Sequence, residues 1–112
     1  MSTHTQKAHY DYTIKEWCEH YKSYLNIIFK NNDINVIYDI GSCVGGTISI
    51  FFNYCKINKK KIPNIYAFEP DKENMIFLKK VLKDYIKKDK LKCFETGIYY
   101  GKKEAKVFGM GL

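Results

Sequence analysis

Two short apolar runs, each meeting an acid at its end, set the rhythm of this chain: Val36-Ile37-Tyr38-Asp39-Ile40 and Ile65-Tyr66-Ala67-Phe68-Glu69. Both are rich in β-branched and aromatic residues, which suit strands. Before the first run, Ile14, Trp17, Tyr21, Tyr24, Leu25 and Ile28 recur at spacings of three and four, one face of a helix over 11–30. Residues 1–10 read as a loose leader. Between the runs, Ile48, Phe51, Phe52 and Cys55 mark the inner face of a helix over 45–57. Lysines 59–61 end it, as suits a helix C-terminus. Asp71 is a good N-cap for a helix over 72–88, where Met75, Leu78, Leu82 and Tyr85 form a stripe that reads as core. A third strand is expected over 91–96, a turn region over 97–103 and a short fourth strand over 105–108.

Strands alternating with helices imply a parallel sheet with right-handed crossovers. The expected fold is α/β and Rossmann-like: a partial, doubly wound, mostly parallel sheet of about three strands plus a short fourth, with flanking helices. Residues 1–33 would be leader and amphipathic helix, and 34–112 the body of the domain.

Composition narrows the function. The chain has 112 residues, one domain by default, with 46% hydrophobic residues. The net charge is +7, yet every basic residue is lysine. Readers of nucleic acid lean on arginine for bidentate contacts, so a solvated lysine surface is expected and no nucleic-acid partner. Cys18, Cys43, Cys55 and Cys93 form no CxxC pair, and His4, His9 and His20 show no HxxxH spacing, so no metal site is expected. Scattered thiols suit a reducing, cytoplasmic setting. The start of the chain is polar, without a signal-peptide core, and no apolar stretch is long enough for a membrane span.

The chemistry concentrates at the strand ends. Gly41 and Gly45 permit a turn that side chains would obstruct, and they let a ligand approach the main chain. The helix that follows presents unpaired N–H groups. The spacing is GxxxGG, neither the GxGxxG of dinucleotide pockets nor a Walker A loop. Asp39 would suit a cationic ligand better than a pyrophosphate. It could also simply cap local N–H groups beside a packing turn. Glu69 can accept hydrogen bonds from both hydroxyls of a ribose, or stand as a surface acid before Pro70.

The stretches Asp39-Ile40-Gly41-Ser42-Cys43-Val44-Gly45 and Ala67-Phe68-Glu69-Pro70 resemble the FkbM family of class I S-adenosylmethionine-dependent methyltransferases. The family's first motif reads approximately Asp-Ile-Gly-Ala-Asn-Val-Gly, and its second reads Ala-Phe-Glu-Pro. The stretch from Thr96-Gly97-Ile98-Tyr99 to Ala105-Lys106-Val107-Phe108 resembles the family segment after its third strand. The likeness covers about residues 34–109. It implies S-adenosylmethionine as cofactor, with Asp39, Gly41, Ser42, Cys43, Val44 and Gly45 at its methionine portion. It places Glu69 at the ribose diol, Thr96, Gly97 and Ile98 near the adenine, and Pro70 among the cofactor-binding residues. It implies O-methylation of a sugar or glycolipid type of acceptor. Here Ser42-Cys43 replaces the usual Ala-Asn, and Gly46 stands where a larger residue is common.

No catalytic base is evident, and Tyr99, Tyr100 and Lys102 read as surface loop. The family continues with a strand ending in an Asp-Val-Glu-Gly type of sequence, of which nothing is present. The chain is therefore expected to be a cofactor-binding half, truncated at its C-terminus. It would supply the 3-2-1 part of a 3-2-1-4-5 sheet. Strand 1 would be an open edge that a C-terminal half or an oligomer partner must cover. Two other functions stay open: a non-catalytic remnant that binds the same cofactor, and a nicotinamide-nucleotide domain. The GxxxGG loop and the early acid argue against the last.

Overall fold

Parallel pairing of three strands organises the molecule. The computed structural model describes residues 3–98. Its elements are α1 (Thr3–Ile28), β1 (Val36–Ile40), α2 (Gly46–Ile57), β2 (Asn64–Phe68), α3 (Lys72–Val81), α4 (Lys83–Lys87) and β3 (Leu91–Phe94). The sheet order is β1-β2-β3, all parallel, with Asp39 opposite Ala67 and Phe68 opposite Phe94. The 105–108 strand expected from the sequence lies outside the described residues, as do Tyr99, Tyr100 and Lys102.

Side chains alternate across a strand, and here the two faces differ sharply. Ile65, Ala67 and Leu91 point to the helices and are buried with Ile48 and Phe52 of α2 and Met75 and Leu78 of α3. Each large apolar side chain in that cluster contributes about 1.5–3 kcal/mol of burial. The other face is open. Tyr38 is 66% exposed and Ile40 61%. Tyr38 stacks on Tyr66 at 5.3 Å between ring centroids, and Phe68 on Phe94 at 5.1 Å. The first strand is thus half-buried on one side and exposed on the other. A doubly wound sheet carries helices on both faces; among the described residues they cover one.

The N-terminal segment is not a loose leader. Helix α1 begins at Thr3 and runs 26 residues. Distant contacts hold its first turns. Gln6 is buried and donates to the Asn74 side chain, while the Tyr10 hydroxyl donates to Ser49 at 2.8 Å. Farther along, Leu25 and Phe29 pack on Tyr54 and Cys55 of α2. Trp17 and Tyr24, which the periodicity places on the buried face, remain 44% and 55% exposed.

The helix expected over 72–88 is two helices. Asp71 caps the first as expected, accepting from the Asn74 N–H at 2.9 Å. The break falls at Leu82, whose φ of −109° departs from helical geometry. Leu82 is buried, and the second piece carries Tyr85 flat against Phe52, 3.9 Å between centroids. The third strand stops at Phe94, because the Thr96 N–H turns back to the Phe94 carbonyl.

Two helix ends close on a left-handed residue that is not glycine. Lys59 has φ 53° and Asp89 φ 59°. In each case the next N–H reaches back five residues, from Lys60 to the Cys55 carbonyl and from Lys90 to the Tyr85 carbonyl. Glycine is the usual residue there, since a Cβ in this conformation is strained. Lys59→Gly and Asp89→Gly are each expected to raise stability by about 0.5–1 kcal/mol, after glycine's larger unfolded-state entropy is subtracted. Urea unfolding followed by circular dichroism measures this, and a loss of stability in both variants would contradict it.

Candidate functional site

The turn after β1 is tied to the end of β2. The Gly41 and Ser42 N–H groups both donate to the Phe68 carbonyl, at 2.8 and 3.1 Å, and the Gly45 N–H donates to the Ser42 carbonyl at 3.0 Å. The backbone is left-handed at Gly41 (φ 76°), Cys43 (φ 55°) and Gly45 (φ 88°). At a residue with a side chain this costs about 1–2 kcal/mol, and asparagine tolerates it better than most. Cys43 holds this conformation although its side chain suits it less well than asparagine's would.

Three contacts hold Cys43 in place. Its N–H donates to Glu69 Oε1 at 2.7 Å. Its Sγ lies 3.6 Å from His9 Nε2 and 4.0 Å from the Asn74 amide. The thiol is buried, and burial pushes its pKa up to about 11, with an opposing backbone hydrogen bond at Val44. A thiol so raised is a poor nucleophile at neutral pH.

The glycines divide the labour. A Cβ at Gly45 would stand 3.0 Å from Leu78 Cγ, and one at Gly46 would stand 2.7 Å from Thr13 Cγ2. These two let α3 and α1 approach the start of α2. α1 crosses at Gly46, where a side chain would run into Thr13. At Gly41 an added Cβ meets nothing within 4 Å. Of the three turn glycines, only Gly41 faces open space.

Asp39 sits under the turn with an unmet need. Its Oδ2 is buried and has no hydrogen-bond partner among the described residues. Burial raises the carboxyl pKa; the Ser42 hydroxyl opposes the rise, and the Glu69 charge adds to it. The same hydroxyl donates to the Asp39 backbone carbonyl at 2.8 Å. A carboxyl raised on folding binds protons more tightly in the folded state. Its ionisation therefore removes stability as pH climbs from the ordinary value of 3.8 through the raised one. Asp39→Asn is expected to stabilise the ligand-free protein at pH 7, with the gain shrinking below about pH 4. Thermal melts of both proteins across pH 3.5–8 test this; an equal or lower melting temperature for the variant at pH 7 overturns it.

Glu69 is more enclosed than its sequence position suggests, at 6% exposed. Oε1 accepts from the Cys43 N–H at 2.7 Å and Oε2 from the Asp71 N–H at 2.8 Å. It therefore clamps the glycine turn to the 69–71 corner. Each carboxylate oxygen keeps a second lone pair for a further donor.

A cleft of about 220 Å³ opens above Asp39. Asp39, Gly41, Ser42, Cys43 and Val44 form one wall. The opposite wall is a stripe of α1, His9, Thr13, Trp17 and Tyr21, spaced four apart. Five of the residues marked in the sequence are thus brought together. Gly45, Glu69 and Pro70 do not line this cleft, and Glu69 braces its wall through the Cys43 N–H. Thr96, Gly97 and Ile98 lie beyond β3, at the far edge of the sheet. Two strand spacings, about 10 Å, separate that edge from β1. The α1 stripe was missed by sequence reasoning, although its four-residue spacing of polar and aromatic residues was there to be read. Among the described residues no group of side chains could hold a metal ion, and no helix is long and apolar enough to cross a membrane. No family model, curated protein or solved structure matches the chain.

Proposed function

We propose that this chain is the cofactor-binding part of a Rossmann-like S-adenosylmethionine-dependent methyltransferase. The observation that carries the reading is the unpartnered Asp39 Oδ2, buried beneath a glycine turn whose one open position is Gly41. A buried carboxylate oxygen without a donor is costly, and a cationic ligand satisfies it. An anionic pyrophosphate would meet repulsion from Asp39. The fit therefore favours a cationic ligand, as the methionine portion of S-adenosylmethionine is, over a dinucleotide.

The cleft of about 220 Å³ is smaller than the roughly 300–1,000 Å³ of a whole-ligand pocket. It suits the methionine end alone. The nucleoside would lie across the carboxyl ends of the strands, with Glu69 using its spare lone pairs at the ribose and Thr96–Ile98 toward the adenine. When bound, S-adenosylmethionine supplies a methyl group on a sulfonium centre. This chain's residues would bind and orient it and exclude water. The acceptor would be carbohydrate-type, and the open sheet face and β1 edge call for a covering segment or partner. Four free thiols fit a cytoplasmic setting.

Calorimetric titration with S-adenosylmethionine, S-adenosylhomocysteine and NADH is the test. Binding of the first two, weakened by Asp39→Asn, is expected. Binding of NADH with neither of the others overturns the reading in favour of a nicotinamide-nucleotide domain.

A further inference from the structure

Facing Asp39 across the cleft are two aromatic side chains of α1, Trp17 and Tyr21. Resting on the S-adenosylmethionine reading, we infer that this aromatic wall recognises the positive sulfonium and sets the preference for the charged cofactor over its neutral thioether product. A cation between an aromatic face and a carboxylate is held by both.

Neither residue is placed for packing alone. Trp17 is 44% exposed despite its position in the apolar periodicity, so burial does not explain it. It nevertheless has aromatic neighbours. His20 meets it edge-on at 5.3 Å, and Tyr21 lies 6.4 Å away. Tyr21 in turn stands edge-on to Phe51 of α2 at 5.6 Å, which anchors the wall to the core. The opposite side of the cleft carries the one buried carboxylate oxygen in the described residues that lacks a partner. Aromatic side chains and an unsatisfied negative atom lining one cleft make a site for an organic cation.

The chain holds a single tryptophan, so emission excited where tyrosine does not absorb reports Trp17. Titration of the 112-residue chain with S-adenosylmethionine and with S-adenosylhomocysteine, by calorimetry and by Trp17 emission together, gives the test. The parent should bind the sulfonium form about three- to tenfold more tightly, the range a partly exposed cation–aromatic contact supplies. Its emission should change at the same ligand concentration as the heat. In Trp17→Leu the preference should fall toward unity while S-adenosylhomocysteine affinity stays within about twofold. Trp17→Phe, which keeps an aromatic face, should retain most of the preference. Matching far-ultraviolet circular dichroism would establish that both variants fold. An unchanged preference in Trp17→Leu, or binding heat without any change in emission, overturns the aromatic wall and leaves the cofactor reading standing. Failure of the parent to bind either ligand overturns both.

Discussion

Glu69→Ala is expected to destabilise the ligand-free protein by about 3–5 kcal/mol, the value of two charge-assisted hydrogen bonds and the exposure of two buried donors. The Cys43 and Asp71 N–H groups lose their acceptors together. Both bonds are short, and Glu69 is buried. Cys43 suffers further, because the bond from its N–H helps hold its left-handed backbone. A domain of this size has about 5–15 kcal/mol in hand. The variant should melt at least about 12 °C lower, at roughly 4–8 °C per kcal/mol. Glu69→Gln should fall between the two. Its amide oxygen satisfies one N–H, while its NH₂ opposes the other. A melting temperature for Glu69→Ala within about 3 °C of the parent removes the clamp from the account.

This changes how any effect of Glu69 on ligand binding is to be read. A residue that touches a ribose and also holds the turn beneath the ligand loses affinity by either route when removed. Stability of the ligand-free protein separates them, since a hydrogen bond to a ribose contributes nothing there. The comparison of Glu69→Gln with Glu69→Ala carries the remainder. Affinity that recovers in step with stability marks the clamp; affinity that stays low in a stable Glu69→Gln marks contact with the ribose.

What was legible in the sequence was local. The runs at Val36–Ile40 and Asn64–Phe68 are strands because β-branched and aromatic residues cluster there. Asp71 caps α3 because an aspartate three residues before Asn74 can reach its N–H. Gly45 is left-handed at a strand-to-helix turn, as its place in the GxxxGG spacing implies. What was not legible depends on partners far along the chain. Residues 3–10 lack an apolar stripe and read as loose. Gln6 and Tyr10 fix them through Asn74 and Ser49, 68 and 39 residues away. The break at Leu82 has no glycine or proline to announce it. It follows from seating Leu82 in the core and Tyr85 on Phe52. For the same reason Glu69 read as a ligand contact or a surface acid and not as a clamp: its two backbone partners come from another turn and from its own corner.

The second large effect falls on the turn itself. Gly45→Ala is expected to cost about 2–5 kcal/mol, the sum of left-handed strain and overpacking. Its φ is 88°, and the new Cβ would meet Leu78 Cγ at 3.0 Å and Leu82 Cδ1 at 3.1 Å. Neither leucine has room to retreat, since Leu78 is fully buried and Leu82 nearly so at the helix break. Gly41→Ala shares the positive φ but meets nothing within 4 Å, so it should cost only the backbone term of about 1–2 kcal/mol. Urea unfolding of the two variants should therefore rank Gly45→Ala as the less stable by about 1 kcal/mol or more. Ligand titration should rank them the other way for whatever Gly45→Ala protein remains folded, because Gly41 lines the cleft and Gly45 does not. The same ranking in both measurements would mean that the two glycines serve one purpose. Opposite rankings would mean that a single turn uses one glycine to admit α3 and another to admit the ligand.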